Sequence, residues 1–347
     1  MNVDERADEP TQIFASSART FLRATHFRRL HPAVNQSHNP SITQPQPQPL
    51  TFITNSTRTA CSPLPTTLNM LLIPLLLIPI LAILANYVLF TGVDTPDAAF
   101  GSGNMFDTIA PRYDLVNRAM ALRMDIGWRQ RLVHDVLERV PKNEAHLLDM
   151  ATGTCDVALM LSQYSTATTT TILGVDPSQN MLSIGQDKIT ASHQEDRIQL
   201  QHGAVEDLVN LLDESSMDGA TMAFGIRNVV DRNHGLCQIH RVLKKGAVLG
   251  ILELSEPTYA EFGILGYAAQ LFIRYIAPVA GAILSGKPQE YLHLQNSIQH
   301  FPAPTEFGEM MENLDCPHDL TQGTFRLEKL QHMNFGSVQL YVATAMK

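Results

Sequence analysis

The pattern of apolar and polar positions divides the chain into three stretches. Residues 1–69 carry neither a helical nor a strand period. Ser, Thr, Gln, Asn and Pro dominate them, with the run QPQPQP at Gln44–Pro49, a composition expected to stay unfolded. Met70–Phe90 (MLLIPLLLIPILAILANYVLF) then runs 21 residues without a charge. At about 1.5 Å per residue a helix of that length crosses a bilayer's hydrocarbon core. Pro74 and Pro79 would strain a soluble helix but are tolerated in a membrane. The segment 70–92 is therefore expected to be a membrane anchor or, alternatively, a signal segment. From residue 93 onward apolar runs alternate with amphipathic stretches, as in a doubly wound α/β domain.

Within that third stretch six strands are expected: His146–Ala151, Thr170–Asp176, Arg197–His202, Gly219–Phe224, Ala247–Leu254 and Val338–Ala345. Met181–Lys188 and Asn233–Leu243 read as helices, the second closed by Lys244-Lys245-Gly246, a good helix C-terminus. Phe262–Leu284 is a second apolar run, with Arg274 at its middle and Gly263, Gly266, Pro278 and Gly281 interrupting it. An arginine at a bilayer centre costs roughly 2.5–3.5 kcal/mol. Residues 256–300 are therefore expected to be buried or lid helices against a lipid-like substrate.

Charge and side-chain chemistry narrow the function. A net charge of −9 and a pI of about 5.8 do not suit a nucleic-acid partner, which needs a basic field. Cys61, Cys155, Cys237 and Cys316 form no CxxC pair, and free thiols in a reducing compartment are expected. The histidines include no HExxH, and His234 and His240 stand six apart, so no metal site is expected. Arginines scattered over Ala18–Leu30 resemble an organelle transit peptide. Asp4, Glu5, Asp8 and Glu9 argue instead for a plain tail.

The chemistry concentrates in Leu147–Val157, LLDMATGTCDV. A strand runs into a turn of small residues and then a helix. Small residues admit a ligand close to the backbone, and a helix N-terminus offers unpaired amides. The turn is not GxGxxG, so a pyrophosphate is disfavoured. Gly174-Val175-Asp176 ends the next strand 23 residues beyond Gly153. An acid there can accept bonds from both ribose hydroxyls. The pair points to an adenosine-containing cofactor.

Met105–Gln130 (MFDTIAPRYDLVNRAMALRMDIGWRQ) resembles the opening of the quinone-biosynthesis C-methyltransferases of the menaquinone and ubiquinone pathways. Four further blocks agree in order: LLDMATGTCDVAL, ILGVDPSQNML, AFGIRNVVDRNHGLCQIHRVLKKGAVLGILELSEP and YLHLQNSIQHFP. The resemblance covers about residues 100–347. It implies a Rossmann-like class I fold, a seven-stranded and mostly parallel sheet with a reversed last strand and helices on both faces. It implies S-adenosyl-L-methionine as cofactor and methylation of a ring carbon of a prenylated quinol. Gly153, Thr154, Asp149, Asp176, Ala204, Val205 and Ala223 are then expected at the cofactor. Tyr113 and Tyr291 are expected at the substrate.

Two residues are expected to carry the chemistry. Arg227 can stabilise a developing phenolate and Asn228 can orient the hydroxyl. Arg227→Ala is expected to abolish turnover and spare cofactor binding. Three positions depart from the family pattern: Cys155 replaces a glycine, Ala204 an Asp or Asn, and Ala223 a serine found in some relatives. These leave open a cofactor-binding scaffold that organises other quinone-biosynthesis enzymes, or a methyltransferase for another membrane lipid. A membrane partner is expected, at the mitochondrial inner membrane or in a plastid.

Overall fold

A computed structural model describes residue 77 and residues 80–93, 103–317 and 323–347. Residues 1–62 lie outside these, and all that follows concerns Pro63–Lys347. The expected extension over 1–69 and much of the expected anchor also fall outside the described residues. What is described of the anchor is a short apolar helix, α1 (Ile80–Phe90).

Seven strands form one sheet: β1 (Glu144–Met150), β2 (Thr169–Asp176), β3 (Ile198–His202), β4 (Met217–Ala223), β5 (Leu243–Leu254), β6 (Thr324–Met333) and β7 (Val338–Met346). Their order is β3-β2-β1-β4-β5-β7-β6. β1 to β5 run parallel, and β7 is antiparallel to both β5 and β6. β1 is paired on both sides, by β2 and by β4, so the winding reverses beside it. That crevice, at the carboxyl ends of the strands, is where such sheets place a ligand.

The period of two along each strand divides the core between the sheet's faces. Leu148, Met150, Met222 and Ile251 belong to one buried cluster, with Leu236 and Ile239 of α7 (Arg232–Val242). Leu147, Ile172, Val248 and Leu252 belong to the other, with Leu132 and Val136 of α3 (Met124–Leu137) and Leu161 of α4 (Asp156–Tyr164). α2 (Asn104–Met120) packs on α5 (Gln179–Ala191).

Three sequence expectations need correction. β5 begins at Leu243, directly after α7, so Lys244-Lys245-Gly246 lie in the strand. Pairing of Met217 with Leu243 draws the segment into the sheet. β6 is a strand the sequence did not place; its exposed Arg326, Glu328 and His332 lie on the sheet's edge. The cysteines are not all free thiols. α7 and the stretch after α11 (Pro304–Glu312) bring Cys237 and Cys316 to a Cα separation of 5.6 Å, and the two are joined as a disulfide.

Candidate functional site

The turn after β1 is built on left-handed backbone. Ala151, Gly153 and Cys155 have φ of 48°, 56° and 68°. Asp149 pins this shape from below: its carboxylate accepts the Thr152 hydroxyl at 2.6 Å and the Thr221 hydroxyl at 2.7 Å. Asp176 holds it from the side, accepting the Gly153 N–H and the Ser178 N–H, each at 2.8 Å. α2 closes the front. Asp114 accepts the Thr154 hydroxyl at 2.7 Å, and Lys188 of α5 bonds Thr154, Asp114 and Asp156.

A narrow slot lined by Tyr113, Asp149, Gly153, Thr154, Asp156 and Ala223 results. A Cβ built on Gly153 would meet nothing within 4 Å, so the space over the turn is open. The carboxylates of Asp114, Asp149 and Asp156 line it, which suits a cationic sulfonium, and Asp176, bonded to Gly153 and Ser178, stands beside the turn and outside the slot's lining, where the ribose is expected. The residues fit S-adenosylmethionine.

Cys155 keeps its side chain out of this space. Its thiol is fully buried against α5, in a notch left by Gly185, where a Cβ would stand 2.3 Å from the sulfur. Burial pushes the thiol up to about 12, so it is an inert filler and not a nucleophile. A left-handed residue with a Cβ costs about 1–2 kcal/mol. Gly185→Ala is expected to destabilise the protein, and adding Cys155→Gly is expected to restore it. Thermal melts of the single and double variants test this; equal damage in both would refute the notch.

Asp149 and Asp176 are buried, and burial pushes both carboxyls from 3.8 up to about 6. The folded, cofactor-free protein thus binds protons more tightly than the unfolded chain. This contribution to stability is full below 3.8 and is lost as pH rises through about 6. Cofactor affinity should run the other way, because the ribose contact expected of Asp176 needs its ionised form to accept from both hydroxyls. We expect S-adenosylmethionine to bind less tightly as pH falls below about 6, measured by calorimetry; affinity flat across that range would contradict the assignment.

Behind the slot lies a cavity of about 400 Å³. Tyr113 and Arg129 line both spaces and mark where they meet. Burial raises the Tyr113 phenol above its usual range, keeping it a hydrogen-bond donor. Arg227, Asn228 and Tyr291 line the cavity, as does Trp128, which packs edge-on to Phe224. Leu265, Phe272 and Ile273 make its wall apolar.

The FGIRN block forms the second turn of the site. Phe224 has φ 61°. A Cβ at Gly225 would lie 2.5 Å from that of Ala151, so glycine lets the turns after β1 and β4 touch. Arg227 is buried and bonds the Phe224 carbonyl at 2.7 Å and the Glu253 carboxylate at 2.6 Å. Asn228 Oδ1 lies 3.2 Å from Nε2 of the buried His293.

Val205 faces the core, in one cluster with Val229 and Leu236, so its side chain is no cofactor contact. Ala204 caps the short turn Val205–Asp207, and neither residue lines the slot. Sequence reading overlooked Asp107, Arg129, Glu253 and His293. Glu253 and His293 lie within LELSEP and YLHLQNSIQHFP, but nothing in either stretch announces a partner. Asp107 accepts the Ser178 hydroxyl at 2.6 Å and so ties α2 to the start of α5.

A sheet of this order, with a small-residue turn after β1 and an acid ending β2, defines a class I S-adenosylmethionine-dependent methyltransferase. More specifically, the chain belongs to the ubiE/COQ5 methyltransferase family, whose model matches residues 97–317. It is 39% identical over 223 residues to a Geotalea daltonii protein named "Ubiquinone/menaquinone biosynthesis C-methyltransferase UbiE", covering 63% of this chain and 91% of that one. It is 36% identical over 207 residues to the "Demethylmenaquinone methyltransferase" of Thermus thermophilus, covering 60% and 89%. A SAM-dependent methyltransferase structure from Aquifex aeolicus aligns with TM-score 0.42 at 15% identity, over 62% of this chain and 89% of that one.

Proposed function

We propose that this enzyme methylates a ring carbon of a membrane-borne prenylated quinol in ubiquinone or menaquinone biosynthesis. The observation that carries the reading is the meeting of the cofactor slot with a large apolar cavity at Tyr113 and Arg129. The cavity suits an aromatic ring with the start of an isoprenoid tail. Its polar lining includes Arg227, Asn228 and His293.

S-adenosylmethionine supplies an electrophilic methyl group when bound. The slot and cavity hold donor and acceptor side by side, and such positioning supplies much of the acceleration. His293 and Asn228, paired at 3.2 Å, line the cavity where the hydroxyl beside the acceptor carbon gives up its proton to solvent, which makes that carbon nucleophilic. Asn228 holds the imidazole in place. Arg227 and the Tyr113 phenol stabilise the oxyanion. The bond to the ring carbon forms as the methyl–sulfur bond breaks, and the ring carbon then gives its proton to water while the oxygen regains one, which restores the aromatic quinol.

Cys155 does not favour the scaffold reading, since its side chain leaves the slot open. The arginines of Ala18–Leu30 support an address in the mitochondrial inner membrane or a plastid. Purified protein, S-adenosylmethionine and reduced demethylated benzoquinones and naphthoquinones should yield a C-methylated product by mass spectrometry. Binding of S-adenosylmethionine with no methylation of either ring would sink the reading.

A further inference from the structure

The run from α8 (Tyr259–Leu271) through a π-helical turn (Phe272–Ile276) to α9 (Ala277–Ser285) is apolar on more than one side. Its inner side lines the cavity through Leu265, Ala268, Ala269, Phe272 and Ile273, spaced as one face of a helix. Outside that set stand Ile264, Tyr267 and Ile283, exposed at 76%, 49% and 67%. A helix apolar on more than one side belongs in an apolar environment, yet only 33% of this run's most apolar stretch is buried. Patches of this kind mark a docking surface.

What covers it follows from where it sits. Leu122, Met124, Leu265, Phe272 and Phe335 are at once exposed and part of the cavity lining. The patch is therefore the rim of the cavity's mouth, where a prenyl tail too long for the cavity must emerge. Cations flank the rim although the chain as a whole is acidic. Arg112 reaches the Ser285 carbonyl at the end of α9, Lys287 follows it, and Arg123 stands between Leu122 and Met124, all three exposed. Apolar residues bordered by basic ones suit an anionic phospholipid surface.

We propose that α8 and α9 lie in the plane of a phospholipid leaflet, at the boundary of headgroups and acyl chains, with the cavity mouth opening into the lipid. This rests on the prenylated-quinol reading for the cavity's ligand. The run Tyr259–Ser285 is 27 residues long with hydropathy 1.4, enough to span. Its inner face is nonetheless committed to the cavity, α9 packs on α2 and on α10 (Pro288–Gln299), and Arg274 pairs with Glu256. Those contacts keep the run against the domain. Membrane contact here is separate from any contact made by Met70–Phe90, and it aligns the mouth with the substrate's own phase.

The test uses the full chain and its Ile264→Asp/Ile283→Asp variant, neither position lining the cavity. Amide hydrogen exchange is followed with and without vesicles of phosphatidylcholine and phosphatidylglycerol. Vesicles should slow exchange over 259–287 in the parent protein and not in the variant. The variant should also lose about tenfold or more in kcat/KM on a long-tailed quinol in vesicles. Its rate on a short-tailed quinol in solution should stay within about twofold. Unchanged exchange over 259–287 while the protein floats with vesicles would overturn the proposal. So would protection that grows with protein concentration without lipid, which would mean a second copy covers the face. If neither quinol is methylated, the functional reading fails, and the exchange result still decides whether this face meets lipid.

Discussion

Replacing Arg227 by alanine is expected to lower folding stability by about 3–5 kcal/mol and to remove turnover. Glu253 is wholly buried, and its carboxylate receives the Arg227 guanidinium at 2.6 Å, the Arg227 N–H at 3.2 Å and the Leu254 N–H at 2.7 Å. Without the guanidinium a buried negative charge is left uncompensated. This amends the expectation that the change spares cofactor binding, since binding falls with the folded fraction. A second substitution separates the roles. Arg227→Ala/Glu253→Gln should regain most of the stability and still lose roughly 10²–10³ in kcat. Denaturant melts and a methyl-transfer assay measure both. A single variant as stable and as active as the parent would refute the assignment.

Asp176→Asn should show the opposite split. Burial disfavours the ionised carboxyl, pushing it up to about 6, while the amide can accept from only one of the Gly153 and Ser178 N–H groups; the two effects offset, and stability should change little at neutral pH. The amide nitrogen cannot accept, and one of the two acceptor oxygens is lost. Hydrogen bonds to a charged group are worth about 1.5–3 kcal/mol, so affinity for S-adenosylmethionine should fall about ten- to a hundredfold. Calorimetry with S-adenosylmethionine and S-adenosylhomocysteine reads this directly. An affinity within about threefold of the parent would remove Asp176 from the cofactor site.

Much of the sheet was legible as runs of apolar residues. Parallel strands covered on both faces read as such runs, and β1, β2, β4 and the core of β5 do so. β6 was not legible, because an edge strand keeps one side in water and Arg326, Glu328 and Lys329 disguise it. Cys237 and Cys316, 79 residues apart, carry no local mark of pairing; the distance closes only when α7 and the end of α11 are packed.

The site divides in the same way. Residue type and spacing along the chain were enough to mark the turn after β1, the acid ending β2 and the Arg227-Asn228 pair, since each depends on a strand and the few residues that follow it. What those residues touch was decided by packing. Gly185 makes room for Cys155, Glu253 neutralises Arg227, His293 meets Asn228, and Tyr113 joins the slot to the cavity. The three pairs span 26 residues or more along the chain, and Tyr113 lies on α2, away from both turns. Local sequence carries the backbone's conformational preferences; contacts between distant side chains exist only once the elements have docked.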